Sequence, residues 1–234
     1  MKLQSLLEKL ALPLFFISLF FIATTFIAYF TQNNEWQRIG GANLHRILQL
    51  LDLREENTLA TWFSSMIFLS TSASLVLLGW GKSSDYIISR LTRLVFQLTA
   101  IGACLLSADE VASIHETTGK WFGRWVLKMM VNVPVEDKGY LWMPLFAPLM
   151  LTAFLAGAYF LAKVIAQMPS LHRQRQWAYT ALLTALICLP GVFVLEWLEF
   201  RGGKITSCFE EAAEIMGMYG LFRCSLMIAR QHQL

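Results

Sequence analysis

The order of hydrophobic and polar positions divides the chain into six long apolar blocks separated by shorter polar connections. A helix needs about 20 mostly apolar residues to cross the hydrocarbon core of a bilayer. The short alternating pattern of barrel strands is absent, and helices satisfy their own backbone hydrogen bonds in lipid. The pattern therefore predicts one all-α membrane domain over 1–234, a bundle of six transmembrane helices. The spans are expected near 11–31, 59–81, 92–116, 142–166, 177–199 and 206–229.

The first connection carries a shorter amphipathic pattern. Its apolar positions recur at roughly helical spacing at Leu44, Ile47, Leu48, Leu50 and Leu51. This spacing predicts a short helix lying at the membrane interface. Just before the second span, Asn57 or Thr58 is expected to cap the helix that follows.

Composition supports lipid as the solvent of this chain. The sequence is 56% hydrophobic and 15% charged, whereas a soluble domain carries about 25% charged residues. All four cysteines fall within predicted spans without a CxxC pair, which is typical of packing residues. Basic residues are dispersed, so the sequence predicts a lipid bilayer and no nucleic acid as its partner.

Charge is distributed unevenly between the two membrane faces. Side one comprises the N-terminus, the 82–93 and 163–176 loops and the C-terminus, with ten basic and two acidic residues. Side two carries nine basic and fourteen acidic residues. The Lys and Arg counts are nearly even, so the acids and the short side-one loops decide the orientation. We expect both termini in the cytoplasm; in a bacterial inner membrane the acidic side would then face the periplasm.

Three segments bring acids to side two. The third span ends with Asp109 and Glu110, followed by His115 and Glu116; the fifth ends near Glu196; the sixth begins with Glu210, Glu211 and Glu214. At about 100° per residue, Asp109, Ser113 and Glu116 share one stripe with Glu110 at its flank. The three acids of the sixth span lie within an arc of about 120°. His115 projects about 100° from Glu116, so it joins such a site only from the edge.

Carboxylates pooled near lipid repel one another and need metal, shared protons or basic partners. Oxygen ligands with one imidazole favour iron or manganese, with calcium or zinc as alternatives. The candidate metal ligands are Asp109, Glu110, His115, Glu116, Glu210, Glu211 and Glu214, with Glu56, Glu196, Ser107 and Ser113 as further candidates. The alternative is that these acids lie in headgroup-level water, where a helix N-terminus already favours the acids of the sixth span.

Three segments carry a family resemblance. They are an acidic stretch leading into Thr61-Trp-Phe-Ser-Ser65, the run Ser107-x-Asp109-Glu110 to His115-Glu116, and Glu210-Glu211-x-x-Glu214. In this order they resemble a group of uncharacterised bacterial multi-pass inner-membrane proteins. The resemblance covers most of the chain; it implies the same architecture and a shared site but names no reaction.

A looser similarity links Ser107, Asp109 and His115 to the membrane hydrolase superfamily of adiponectin receptors and alkaline ceramidases, which bind zinc. Glu210 and Glu214 occupy the spacing of the late His-x-x-x-His pair in that superfamily. Glutamates at this spacing favour a harder metal than zinc.

Three functions are compatible with these observations. The first is a metal-dependent enzyme that acts on a lipid or another hydrophobic substrate near the outer leaflet. The second is a non-catalytic subunit or scaffold with membrane-protein partners. A cation- or proton-coupled transporter is less favoured, because the acids crowd one face and the sequence has no inverted repeat.

Overall fold

The computed structural model describes residues 2–32, 46–55, 58–81, 88–112, 114, 118, 142–168, 172–200 and 205–231. Within these ranges the regular structure is helical, and six long helices carry the fold: α1 Lys2–Gln32, α2 Leu59–Trp80, α3 Arg90–Ala112, α4 Trp142–Gln167, α5 His172–Phe200 and α6 Thr206–Gln231. All six are long and apolar enough to cross a membrane. The predicted six-helix membrane architecture is confirmed.

The first connection contains the predicted short helix. Residues 46–50 are helical, and Ile47 and Leu50 are both exposed. Apolar side chains that point outward from a short helix suit a position at the membrane interface. Thr58 is the N-cap of α2, since its side chain accepts a hydrogen bond of 3.3 Å from the Thr61 backbone N–H.

The helix ends differ from the predicted spans where polar residues adjoin an apolar block. α1 begins at Lys2 instead of near residue 11, and α5 begins at His172 instead of near 177. Near the start of α1, Gln4 donates a hydrogen bond to Glu8 one turn later. Block length predicts the part of a helix that lies in lipid, whereas the helix itself continues into the polar region. The predicted end of the third span at 116 lies outside the described residues.

Helix α6 is central to the bundle, where it packs against α5 and α2 most extensively and also against α1 and α4. Two glycines permit the close approach of α5. A Cβ atom on Gly220 would lie 2.7 Å from the Ala181 carbonyl oxygen, and one on Gly217 would lie 2.6 Å from Leu189 Cγ. Small residues at such interfaces allow helix backbones to pack closely in membranes.

Two clusters of buried apolar side chains form the core. The first cluster contains residues from each of the helices α2, α3, α4, α5 and α6, including Leu75, Phe96, Leu161, Leu182 and Ile228. The second joins α1, α2 and α6 through Phe21, Ile67, Ile215 and Phe222, and it includes Leu53 from the connection before α2. That connection is therefore packed into the bundle.

Hydrogen bonds between helices supplement this packing. The Thr71 hydroxyl of α2 donates to the Met218 carbonyl of α6 over 3.1 Å. The Ser72 hydroxyl donates to the Ala100 carbonyl of α3 over 2.7 Å. The Tyr219 hydroxyl of α6 donates to a carbonyl of α1, at Ala11. Since lipid offers no hydrogen-bond partner, these contacts satisfy hydroxyl groups that would otherwise be costly to bury.

Candidate functional site

The segment 51–55, between the interfacial helix and α2, is fixed by hydrogen bonds to both neighbouring spans. The Thr24 hydroxyl of α1 donates to the Leu51 carbonyl over 3.0 Å, and the Leu53 N–H donates to the Thr25 hydroxyl over 2.9 Å. On the other side, the Thr61 hydroxyl of α2 donates to the carbonyl of residue 55 over 2.8 Å. These bonds hold the residue between Leu51 and Leu53 inside the bundle.

That residue is Asp52, which is fully buried and paired with Arg54. The Asp52 Oδ1 atom accepts hydrogen bonds from the Arg54 backbone N–H at 3.1 Å and from Nε at 3.0 Å, while Oδ2 accepts one from Nη2 at 2.6 Å. The guanidinium carbon also lies 5.4 Å from the centroid of the Tyr29 ring, a cation–π distance.

The ion pair keeps Arg54 charged. Burial by itself lowers the pKa of Arg54, but the hydrogen bond and the charge of Asp52 outweigh that effect. The pKa of Arg54 therefore stands above its ordinary value. A group with a raised pKa loses its charge only when the pH rises above that pKa. Arg54 therefore stays charged across the physiological pH range.

A reciprocal serine pair fixes α3 against α2. The Ser65 hydroxyl donates to the Ser107 carbonyl over 2.8 Å, and the Ser107 hydroxyl donates to the Ser65 carbonyl over 2.9 Å. The two hydroxyl oxygens are also 2.9 Å apart. Ser107, a further candidate ligand from the sequence, thus joins two helices one turn before Glu110.

Glu211 of α6 interacts electrostatically with several other acids. Its carboxyl group interacts electrostatically with those of Glu214, Glu110, Glu210 and Asp52. We call these five residues the acidic group. They come from α6, α3 and the segment 51–55, and four of them, Glu110, Glu210, Glu211 and Glu214, are candidates from the sequence; the site itself stays a prediction. Asp109 lies partly exposed beside Glu110 at the end of α3.

Asp52 is the member that the sequence analysis missed. It lies in a connection, so no helical spacing relates it to the other acids. The available signal was its position in an acidic stretch that resembles a family motif, two residues before an arginine.

Electrostatic proximity is distinct from metal coordination. Within the described ranges, no three His, Cys, Asp or Glu side chains are arranged so that they could hold one metal ion. Four predicted candidates, His115, Glu116, Ser113 and Glu56, lie outside these ranges. The backbone of Glu196 belongs to α5, but its side chain is not among those described. The predicted metal site thus stays a prediction.

An apolar groove opens between α1 and α2 beside the segment 51–55. It has a cavity volume of about 410 Å³ and is lined by Ile17, Phe20, Phe21, Leu51, Leu59, Trp62, Phe63 and Met66. Leu51 directly precedes Asp52, so the groove reaches the segment that carries one member of the acidic group. Such a groove suits the hydrocarbon part of a molecule that lies in the membrane.

The fold defines a multi-pass helical membrane protein. The chain belongs to the family described as Domain of unknown function (DUF8692), whose model matches residues 16–228. The match includes part of every long helix and agrees with the predicted resemblance to an uncharacterised family. The bacterial origin and the three motifs stay predictions. No curated protein and no solved structure matches the chain.

Proposed function

We propose that this protein binds a metal cation at its acidic group and uses it in a reaction on a lipid or another hydrophobic molecule. The observation that supports the proposal is that Glu211 lies within electrostatic range of four other carboxyl groups, which come from three elements. Carboxylates drawn together in this way repel one another, and the repulsion grows as the surroundings become less polar. A bound cation offsets that repulsion.

The chemistry of the donors favours a hard cation. Carboxylate oxygens prefer magnesium, calcium, manganese or iron to softer metals. Arg54 pairs with Asp52, and the proposed ligands are the acids of α3 and α6. If His115 adds its imidazole, iron or manganese is favoured, with calcium or zinc as alternatives.

The apolar groove supports a hydrophobic substrate. Its lining is contributed by α1, α2 and Leu51, and it lies beside the segment that carries Asp52. A molecule with its hydrocarbon part in this groove would place its polar part toward the acidic group. The proposed cation would then act as a Lewis acid or would activate a water molecule for attack on that polar part.

Metal analysis of the purified protein tests this proposal. The protein would be purified in detergent with metal-depleted buffers, reloaded with iron, manganese, calcium or zinc in turn, and analysed by mass spectrometry of the elements. We expect stoichiometric metal in the wild type and about tenfold weaker retention in Glu211→Gln, by analogy with changes around known metal sites.

Glu8→Gln is the matched control, because Glu8 lies near the start of α1, where it accepts a hydrogen bond from Gln4. This variant should retain metal like the wild type. A wild-type protein that holds no metal after any of the four reloading steps would contradict the proposal.

We also propose that the protein resides in a bacterial inner membrane with both termini in the cytoplasm and the acidic group toward the periplasm. The excess of acids on side two supports this orientation. Arg230 Nε of α6 lies 4.0 Å from Glu8 Oε1 of α1, which agrees with both termini lying on one face.

A further inference from the structure

The Ser64 hydroxyl of α2 differs from its neighbours in having no hydrogen-bond partner. Ser64 is 2% exposed, and its Oγ atom is the one buried side-chain polar atom without a partner among the described residues. Nearby hydroxyls on the same helix are paired, at Ser65, Ser70 and Thr71. A buried hydroxyl without a partner is costly, because it has lost its hydrogen bonds to water. The Ser64 hydroxyl is therefore a buried polar group that the described polypeptide does not satisfy.

Helix geometry gives the direction in which Ser64 points. Thr71 lies seven residues further along α2, which places it about 20° away around the helix axis. The Thr71 hydroxyl donates to the Met218 carbonyl of α6, so this face of α2 is turned toward α6. Ala60 and Ile67 flank Ser64 on the same face, and both are buried in the core cluster that contains Ile215 of α6.

The register between α2 and α6 identifies what Ser64 faces. Thr71 contacts Met218, and Ser74 contacts Ser225. The residue numbers rise together on α2 and α6, so the two helices run parallel. Seven residues before Thr71 is Ser64, and seven residues before Met218 is Glu211, a step of about 10.5 Å on either helix. Counting ten residues back from the other contact, Ser74–Ser225, pairs Ser64 with Ile215, so Ser64 lies at the level of the α6 turn that runs from Glu211 to Ile215.

Glu211 lies on the matching face of α6. On an ideal helix it is about 20° from Met218 and about 40° from Ile215. Both of these residues are buried in the cluster that joins α6 to α1 and α2. The hydroxyl of Ser64 and the carboxyl of Glu211 thus belong to the same interface between α2 and α6.

Helix α3 adds a second carboxylate at nearly the same level. Ser65, the next residue after Ser64, is bonded to Ser107 of α3. Glu110 follows Ser107 by three residues and interacts electrostatically with Glu211. Ser64 therefore lies on α2, which packs against both α3 and α6, and each of those two helices carries acids.

We propose that the Ser64 hydroxyl oxygen is a ligand of the cation, together with Glu211 and a second carboxylate of the acidic group. This inference rests on the proposed function and narrows it. Because no three acids among the described residues could hold one ion, two carboxylates there need a donor of another type, and a hydroxyl is one. A site of carboxylate and hydroxyl oxygens selects hard cations such as magnesium, calcium or manganese over zinc.

Manganese titration of the detergent-purified protein, stripped with a chelator, tests this inference. Unbound Mn²⁺ would be measured by electron paramagnetic resonance, with calcium, magnesium and zinc as competitors. We expect Ser64→Ala to bind Mn²⁺ about tenfold more weakly than the wild type, and calcium or magnesium to compete better than zinc.

Ser70→Ala is the matched control. The Ser70 hydroxyl donates to the Met66 carbonyl within its own helix, and Ser70 lies about 120° around the axis from Ser64. This variant should bind Mn²⁺ like the wild type.

Thermal unfolding separates a ligand from a structural serine. In chelator, Ser64→Ala should melt at or above the wild-type temperature, because the change removes an unpaired buried hydroxyl. Added Mn²⁺ should raise the melting temperature of the wild type more than that of Ser64→Ala. A loss of stability in chelator would assign Ser64 a structural role and overturn the inference.

The remaining outcomes separate the two proposals. If Glu211→Gln loses Mn²⁺ while Ser64→Ala binds like the wild type, the proposed function stands and the role of Ser64 is wrong. Preferential binding of zinc would overturn the selectivity for hard cations. If the wild type binds none of these four ions and also retains no iron in the reloading experiment, the proposed function itself is wrong.

Discussion

Asp52 shows how strongly a single buried charge depends on its partner. Its carboxylate is fully buried and accepts three hydrogen bonds from Arg54. Arg54→Gln removes the positive charge and leaves the carboxylate unpaired, so we expect a loss of about 3 kcal/mol in the free energy of unfolding. This loss would be measured by titrating the protein with sodium dodecyl sulfate and following its unfolding by tryptophan fluorescence.

The double variant Asp52→Asn, Arg54→Gln tests whether this loss comes from the unpaired charge. We expect it to be more stable than Arg54→Gln alone, since neither charge is then present. Arg46→Gln is the control, because Arg46 is exposed on the interfacial helix. Purely additive effects of the two substitutions would contradict the proposed pairing.

For individual residues, the sequence predicted the depth in the membrane of those that lie at the end of an apolar block. Glu110 and Glu211 were placed at one face because each lies near the end of an apolar block. Asp52 could not be predicted in the same way, since its position depends on hydrogen bonds to Thr24 and Thr25 of α1. Ser64 was missed because α2 contains many small hydroxyl residues, and only packing decides which of them lacks a partner.

At the scale of the helices, the pair Ser65–Ser107 connects α2 to α3 just before the acids of α3. Hydrogen bonds between membrane helices contribute about 0.6 kcal/mol on average. We expect Ser65→Ala and Ser107→Ala each to destabilise the bundle by about 1 kcal/mol, with the double variant losing less than the sum. A thermal double-mutant cycle in detergent would measure the coupling, and zero coupling would contradict a shared interaction.

The contact between α5 and α6 depends on a glycine. A Cβ atom on Gly220 would lie 2.7 Å from the Ala181 carbonyl oxygen and 3.1 Å from the Ala185 nitrogen. Both atoms belong to the backbone of α5, so Gly220→Ala must push the helices apart. We expect a loss of about 1–3 kcal/mol, measured as a lower melting temperature in detergent.

Gly102→Ala is the matched control, because a Cβ atom there would meet nothing within 4 Å. This substitution should leave stability unchanged or raise it by up to about 1 kcal/mol through helix propensity. If both variants melt at the wild-type temperature, close packing at Gly220 does not limit the stability of the bundle.

The existence of these helices could be predicted, and some of their ends could not. Long apolar blocks predicted all six spans, because a membrane requires a minimum apolar length. The same criterion placed the start of α1 near residue 11, whereas the helix begins at Lys2. Lys2, Glu8 and Lys9 precede the apolar block but belong to the helix, since charged residues of this kind are good helix formers.

At the scale of the whole molecule, the helix that carries most of the acidic group is also the most enclosed. α6 packs against α1, α2, α4 and α5, and Gly217 and Gly220 allow α5 to approach it closely. The acids near its start, Glu210, Glu211 and Glu214, are partly buried. The sequence predicted that the three acids of the sixth span share one arc of the helix, but it could not predict that α6 lies at the centre of the bundle, which depends on packing.

The orientation of this bundle decides which compartment supplies the proposed cation. The Glu8–Arg230 contact and the six spans agree with both termini on one face, opposite the acidic group. In the proposed orientation, green fluorescent protein fused to the C-terminus should fluoresce, since it folds in the cytoplasm. Alkaline phosphatase fused there should be inactive, whereas phosphatase inserted in the 117–141 connection should be active. The opposite pattern would place the acidic group toward the cytoplasm, and the proposed site would then draw its cation from the cytoplasmic pool.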